Sequence, residues 1–303
     1  MSVDQTPVVV ITGASSGIGR ITALAFARQG ACLALAARDQ APLAAVAEEC
    51  RALGGQVVIQ PLDVRDFAAV DELRRTAVAA FGCIDVWVNC AAVLLFGRFE
   101  DLPPEAFRQV IETNVIGYAN GARAAILQFR TQGDRGTLIN VGSVLGMVGE
   151  PYVSAYVTSK FALRGLTACL RQEIQPFPNI HVCAVLPSAL DTPIYQRAGN
   201  YMGREARSIA PVYDPGKAAE AIVRLASRPR PQVIVTGFGL LIALASKVAP
   251  GLLEWAVGRA APRLQFKEDV TAASPGSLYK SSVEHAERGG WRAYWWKKLF
   301  LSR

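Results

Sequence analysis

Short, almost wholly apolar runs alternate along this chain with longer segments in which apolar residues return every three or four positions. The runs Val8–Thr12, Ala31–Ala37, Val57–Leu62, Ile84–Asn89, Thr137–Val141, His181–Leu186 and Gln232–Thr236 have a strand's length and little polar alternation, as strands covered on both faces do. Helical periodicity marks Arg20–Gln29, Gln40–Leu53, Phe67–Phe81, Phe161–Gln175 and Asp214–Ser227, and Gly54 and Gly55 supply a stop. Strand and helix in turn predict the α/β class with a doubly wound parallel sheet. Ligands of such sheets sit beyond the carboxyl ends of the strands, where Thr12, Asp63, Asn89 and Ser143 fall.

After Gly237 the alternation stops. Phe238–Ala256 is apolar almost all round, broken by Lys247, Pro250 and Glu254, and its uncharged run is shorter than the about twenty residues of a membrane span. Thr271–Arg288, polar with Ser, Pro and Gly, reads as a linker. The last thirteen residues, Trp291–Arg303, hold three of the five tryptophans and four basic residues, a mixture that suits membrane interfaces. The expected organisation is a single domain over 1–237, with a substrate loop at 188–213, and an apolar, helical extension over 238–303. A core helix, a subunit contact and an interfacial helix on a bilayer remain open for that extension.

Composition narrows the partners. Hydrophobic residues make up 51% of the 303 and charged ones 19%, so a large core is affordable. The net charge of +7 suits an anionic ligand or surface, but no run of Lys and Arg points to nucleic acid. Cys32, Cys50, Cys83, Cys90, Cys169 and Cys183 show no paired spacing, which fits a reducing compartment. His181 and His285 are too far apart to suggest a metal cluster or a His-based triad, and His181 reads as a strand-edge residue. The start of the chain lacks the basic segment and long apolar run of a secretory signal. A cytoplasmic location is expected, with the extension a candidate for membrane contact.

The chemistry begins at Thr12-Gly13-Ala14-Ser15-Ser16-Gly17-Ile18-Gly19. Strand, glycine-rich turn, helix is the Rossmann-type setting of dinucleotide binding: the glycines admit a pyrophosphate, which meets the positive end of the helix. At the end of the second strand an acidic residue would hold a ribose 2′-hydroxyl and an Arg a 2′-phosphate. Arg38 stands there, with Ser15 as a second contact, favouring NADP(H) over NAD(H); Asp39 is the contrary signal. Tyr156 and Lys160, four apart, share one helix face. An ammonium beside a phenol should lower the phenol's pKa and ready it for proton exchange. Ser143, at a strand end, is placed to hydrogen-bond a substrate oxygen. Met147–Tyr152 should line the substrate side, and Ala189–Tyr213, with Tyr195, Tyr201, Met202 and Tyr213, should form a flexible lid over an apolar substrate.

Taken together, the glycine turn, Asn89, Asn114, Ser143 and Tyr156–Lys160 resemble the short-chain dehydrogenase/reductase family, in the branch with the TGxxxGxG turn, over about Pro7–Gly237. The resemblance implies a catalytic tetrad of Asn114, Ser143, Tyr156 and Lys160, with Asn114 positioning a water in a proton relay. It implies cofactor contacts at Gly13, Ser15, Ser16, Gly17, Ile18, Gly19, Arg38, Asp63, Val64, Asn89, Ala91, Tyr156, Lys160, Pro187 and Thr192. Asp63 and Val64 would hold the adenine and Thr192 the carboxamide. It also implies a homo-oligomer. Two motifs depart from the family pattern: Asn-Asn-Ala-Gly is Asn89-Cys90-Ala91-Ala92 here, and Pro-Gly is Pro187-Ser188. The expected activity is NADP-dependent interconversion of a carbonyl and a secondary alcohol on an apolar small molecule. Its rivals are an NAD-dependent alcohol dehydrogenase of the same fold and a non-catalytic membrane-surface binding protein. Enoyl reductases of this fold separate their Tyr and Lys more widely, so the spacing of four disfavours that activity.

Overall fold

The first strand, β1 (Val8–Thr12), is buried along its whole length, as a five-residue apolar run in the middle of a covered sheet must be. In the computed structural model, which describes residues 6–281 and 286–300, it lies inside a seven-stranded sheet, next to the central strand. The other strands are β2 (Cys32–Ala37), β3 (Gln56–Pro61), β4 (Val86–Asn89), β6 (Gly136–Val141), β7 (Ile180–Leu186) and β10 (Gln232–Ile234). The order is β10-β7-β6-β4-β1-β2-β3, and every pairing is parallel. The order reverses between β1 and β4, which opens a crevice beyond their carboxyl ends.

Helices cover both faces. On one lie α1 (Gly17–Ala27), α2 (Gln40–Ala52) and α7 (Gly216–Ser227), packing residues such as Phe26, Leu43 and Ile222 against Val9, Ile11 and Leu33. On the other, α3 (Phe67–Phe81) and α5 (Gly117–Thr131) set Leu73, Ala125 and Phe129 against Val10, Trp87 and Leu138. Asp66 caps α3 by accepting from the N–H groups of Ala68 and Ala69, and Gly82, at φ 82°, ends it. The sequence reading placed no helix between Asn89 and Thr137, yet α4 (Pro104–Ile111) and α5 lie there, joined by a π-helical turn at Glu112–Ile116. Alanines and glycines along α5 dilute the periodicity, because that helix sits too close to the sheet for bulk. A Cβ on Gly121 would overlap the Asn89 carboxamide.

The expected boundary at 237/238 separates no packing units. After α8 (Gly237–Val248) and α9 (Pro250–Leu264), strand β11 (Phe266–Val270) pairs antiparallel with β9 (Arg204–Ala206), inside the expected lid. Phe266 is buried with its ring 5.8 Å from that of Phe96 and 5.7 Å from that of Tyr152. Arg207, also buried, donates to the carbonyls of Arg263 and Leu264 at the end of α9 and to Tyr294 Oη on α10 (Trp291–Phe300). The short strand β8 (Gly199–Asn200) pairs with β5 (Leu95–Phe96). The lid is therefore tied at two places to the rest of the domain.

The expected linker is anchored as well. Leu278 is fully buried among Leu95, Leu102, Ala106 and Val110, and Trp291 and Trp295 are buried too. The linker residues 282–285, which include His285, and the terminal residues 301–303 lie outside the described part. Among the described residues no helix is long and apolar enough to cross a membrane. The α8–α9 hairpin nevertheless exposes Leu240, Leu241, Leu244, Val248, Leu252 and Trp255.

Candidate active site

The turn after β1 depends on its glycines. Gly13 and Gly17 have φ of 71° and 52°, a region unfavourable to other residues. A Cβ on Gly13 would stand 2.7 Å from Ala91 Cα, and one on Gly19 would overlap the Gly13 carbonyl. The turn thus packs against the chain leaving β4, where Thr12 Oγ1 accepts from Cys90 N at 3.2 Å. The start of α1 lines the crevice at Gly17, Ile18 and Gly19, and a helix N-terminus favours an anion.

A cleft of about 520 Å³ is lined by Gly13, Ser15, Ser16, Gly17, Ile18, Gly19, Arg38, Asp63, Val64, Ala91, Ser143, Tyr156, Lys160, Pro187 and Thr192. These expected site residues, scattered over the sequence, meet in one cavity. The glycine cradle, the helix end and the basic residue at the tip of β2 fit a dinucleotide. Further walls are apolar: Leu94, Val144 and Val148 from the domain, and Phe238, Leu253 and Val257 from α8 and α9.

Tyr156 and Lys160 lie on α6 (Ser154–Glu173). Tyr156 shares the cleft with Ser143, which follows β6 and whose hydroxyl lowers the phenol's pKa. Lys160 Nζ lies 5.3 Å from the centre of the Tyr156 ring and donates to Val141 O at 3.1 Å. Burial pushes the Lys160 ammonium down to about 8, with Cys90 opposing. The phenol departs from expectation. Burial drives Tyr156 well above its ordinary value, and the Ser143 hydroxyl offsets only part of that. Tyr156 keeps some surface open to the cleft, but its walls enclose it closely. In the protein alone, desolvation dominates, and the nearby Glu150 and Cys90 add to it.

Two expected residues do other work. Asn114, fully buried in the π-helical turn, donates to Val93 O and Ser159 Oγ and accepts from Val93 N. Both its amide hydrogens are engaged within the fold. It ties the chain after β4 to α6. Asn89 does not face the cleft. It accepts from Trp87 Nε1 and donates to Tyr118 O and Asn140 Oδ1, behind the sheet, because β4 pairs Asn89 with Asn140 in register.

At the nucleotide end, Arg38 donates to the carbonyls of Ser277 (2.7 Å) and Leu278 (3.1 Å), and burial lowers its pKa. Asp63 is chelated by Arg65 at 2.8 to 3.1 Å. Burial raises its pKa, but the Arg65 bonds outweigh that and hold it below the usual carboxylate range. The extension crosses this region again where Gly17 N donates to Ala286 O at 3.4 Å and Glu287 pairs with Arg20 at 3.6 Å.

Sequence reasoning missed Arg197 and Gln265, which line the cavity together with Glu150 and Tyr195 from the two stretches expected on the substrate side. Arg197 reaches Ser16 Oγ at 2.9 Å. Glu150 lies within the stretch expected on the substrate side, and its acidity among apolar neighbours was the available signal. Gln265 carried none. His181 sits in β7, away from the cleft, and burial lowers its pKa. No cluster able to hold a metal occurs among the described residues.

A model of the short chain dehydrogenase family matches residues 7–202. The uncharacterized oxidoreductase YxnA of Bacillus subtilis is 33% identical over 299 residues, covering 96% of this chain and 84% of that protein. The 3-ketodihydrosphingosine reductase of Bos taurus is 33% identical over 224 residues, 71% of this chain and 67% of that one. Among solved structures, an alcohol dehydrogenase from Thermococcus sibiricus complexed with 5-hydroxy-NADP superposes with a TM-score of 0.65 at 30% identity, covering 76% of this chain and 96% of that one. A short chain dehydrogenase/reductase from Burkholderia phymatum in complex with NAD gives 0.73 at 25% identity, covering 82% and 95%.

Proposed function

Since the chain belongs to the short-chain dehydrogenase/reductase family of NAD(P)-dependent oxidoreductases acting on CH–OH and C=O groups, we infer that it interconverts a ketone and a secondary alcohol of an apolar small molecule with NADP(H). The observation that carries this reading is the meeting of Ser143, Tyr156 and Lys160, the last one turn along α6, in the same cleft as the glycine turn. The dinucleotide, when bound, supplies or accepts the hydride. Ser143 holds the substrate oxygen beside Tyr156. Tyr156 gives that oxygen a proton in reduction and removes it in oxidation. Lys160 opposes the desolvation of the phenolate. Arg38 supports NADP(H) through the guanidinium donors that remain beyond Ser277 and Leu278. The apolar walls support an apolar substrate.

Replacing Tyr156 by Phe tests the reading. Turnover of ketones is expected to fall about 10²- to 10⁴-fold while NADPH still binds, followed by its fluorescence. Turnover that survives the substitution would remove Tyr156 from the chemistry, and equal use of NADH and NADPH would remove the role given to Arg38.

The exposed hairpin supports a second part of the reading: a cytoplasmic, homo-oligomeric enzyme working against a lipid surface. α8 and α9 present Leu241, Leu244 and Trp255 outward and Phe238, Leu253 and Val257 to the cavity, so one element joins the outer apolar face to the substrate space. Lys247, Arg259 and Arg263 lie on the same hairpin, as suits anionic headgroups. Ile116, Leu127 and Phe161, exposed at α5 and α6, offer a face for a second copy. Flotation with anionic vesicles and light scattering check the two contacts separately.

A further inference from the structure

The cavity holds one acid that neither proton transfer nor dinucleotide binding uses. Glu150 lines it on the chain just before the catalytic helix, and its charge is felt by both Tyr156 and Tyr195. It therefore sits near the reacting phenol rather than at the nucleotide end. One carboxylate oxygen, Oε1, accepts from Gln265 Nε2 at 2.6 Å. Among the described residues the other oxygen takes no hydrogen bond and no cation is paired with the group.

Gln265 shows that this placement is built. It comes from the turn between α9 and β11, 115 residues away, and its main chain is fixed by Ala261 O and Arg207 N. The side chain is buried, and its own Oε1 has no hydrogen-bond partner. An orphaned buried carbonyl is a cost that the fold bears while aiming the amide N–H at Glu150. An acid needed only to tie loop to extension would leave neither partner half satisfied.

We propose that Glu150, positioned by Gln265, is a recognition site for a second polar group of the substrate, a hydrogen-bond-donating amine or hydroxyl carried near the reacting carbonyl. The free carboxylate oxygen accepts that group's hydrogen, and a protonated amine supplies the countercharge the cavity lacks. Burial pushes the Glu150 carboxyl up to about 7, against the Gln265 hydrogen bond, and an ammonium beside it would draw it back toward the ionised form. The substrate class is thus an amphipathic amino- or hydroxy-ketone, or the corresponding alcohol, with its tail along the apolar walls from α8 and α9.

This rests on the ketone-reductase reading, and the test keeps the two apart. A long-chain methyl ketone is compared with counterparts bearing a hydroxyl or a dimethylammonium group at graded distances from the carbonyl, each with NADPH. The expected result is a kcat/KM at least about tenfold higher for a donor-bearing ketone, equivalent to about 1.4 kcal/mol. Glu150→Leu collapses that ratio to about one. Gln265→Leu lowers it, mostly through KM. Glu150→Gln separates the two donors: hydroxyl preference survives the loss of charge and ammonium preference does not. NADPH titration and thermal unfolding confirm that each variant is folded. If no ketone is reduced, the underlying reading fails. If ketones are reduced but the ratio is near one in the parent, or persists in Glu150→Leu, the proposal is overturned and the pair only tethers the extension.

Discussion

The floor and the roof of the cleft are assembled by opposite means. The floor is made where β1, β4 and β6 stop, so Gly13, Ala91 and Ser143 each stand within three residues of a buried strand. The sheet sets their positions, and local sequence suffices to place them. The roof is made of the loop after β7, the α8–α9 hairpin and the chain beyond β11. Contacts such as Gln265 to Glu150 and Arg38 to Leu278, the latter across 240 residues, hold it in place. The floor therefore stores the cost of function, whereas the roof stores much of the cohesion between distant segments.

Substitutions at the two places should then act in opposite senses. Lys160→Met gives the largest expected contrast. The folded-state pKa of Lys160 is about 8 against an ordinary 10.5, so between these values the unfolded chain holds the proton the folded chain has released. Lys160 by itself makes stability rise with pH across that window, against the buried thiols, so its share is read as the difference between parent and variant. The Met variant loses the slope and, below pH 8, gains about 1–3 kcal/mol, while turnover collapses. Val141 O keeps the Tyr118 Oη hydrogen bond at 3.0 Å, so the substitution leaves that carbonyl paired. Urea unfolding of both proteins at pH 7 and pH 10 measures this; a stability difference between variant and parent that is the same at the two pH values would contradict the burial cost assigned to Lys160.

Leu278→Ala, in the roof, should do the reverse. It opens a cavity among Leu95, Leu102, Ala106 and Val110, with an expected loss of about 2–4 kcal/mol. The proton-transfer residues are untouched, so kcat measured below the unfolding transition should change by less than about threefold. A lower melting temperature with retained kcat sharpens the distinction; loss of kcat in step with stability would erase it.

The smallest effect on the protein itself is expected outside both. Leu241→Ser with Leu252→Ser, at side chains 59% and 67% exposed, should shift stability by less than about 0.5 kcal/mol each. The same pair should sharply reduce flotation with anionic vesicles. Unchanged flotation would reassign the hairpin to a contact other than lipid.

Much of the floor could be read in advance, and particular residues show why. Gly13 and Gly19 announce a turn because no side chain fits there, and Arg38 announces itself as a charge at the end of an apolar strand. Tyr156 and Lys160 are joined by helical spacing alone. Asn89 and Asn114 were visible as polar residues in the right places, but their partners were not. Whether a carboxamide faces a ligand or a neighbouring strand depends on register and on a π-helical turn, and neither leaves a local mark.

The amino-acid pattern alone determined the parallel sheet, its crevice and the set of side chains delivered there, since strand burial and helical period are properties of neighbours in sequence. Tertiary structure alone decided that the polar segment around Leu278 is anchored across the nucleotide end and that Gln265 meets Glu150. It also decided that the Tyr156 phenol is driven up rather than down. Each of these turns on which distant surfaces exclude water from a group, and desolvation is set by the assembled walls, not by adjacent residues.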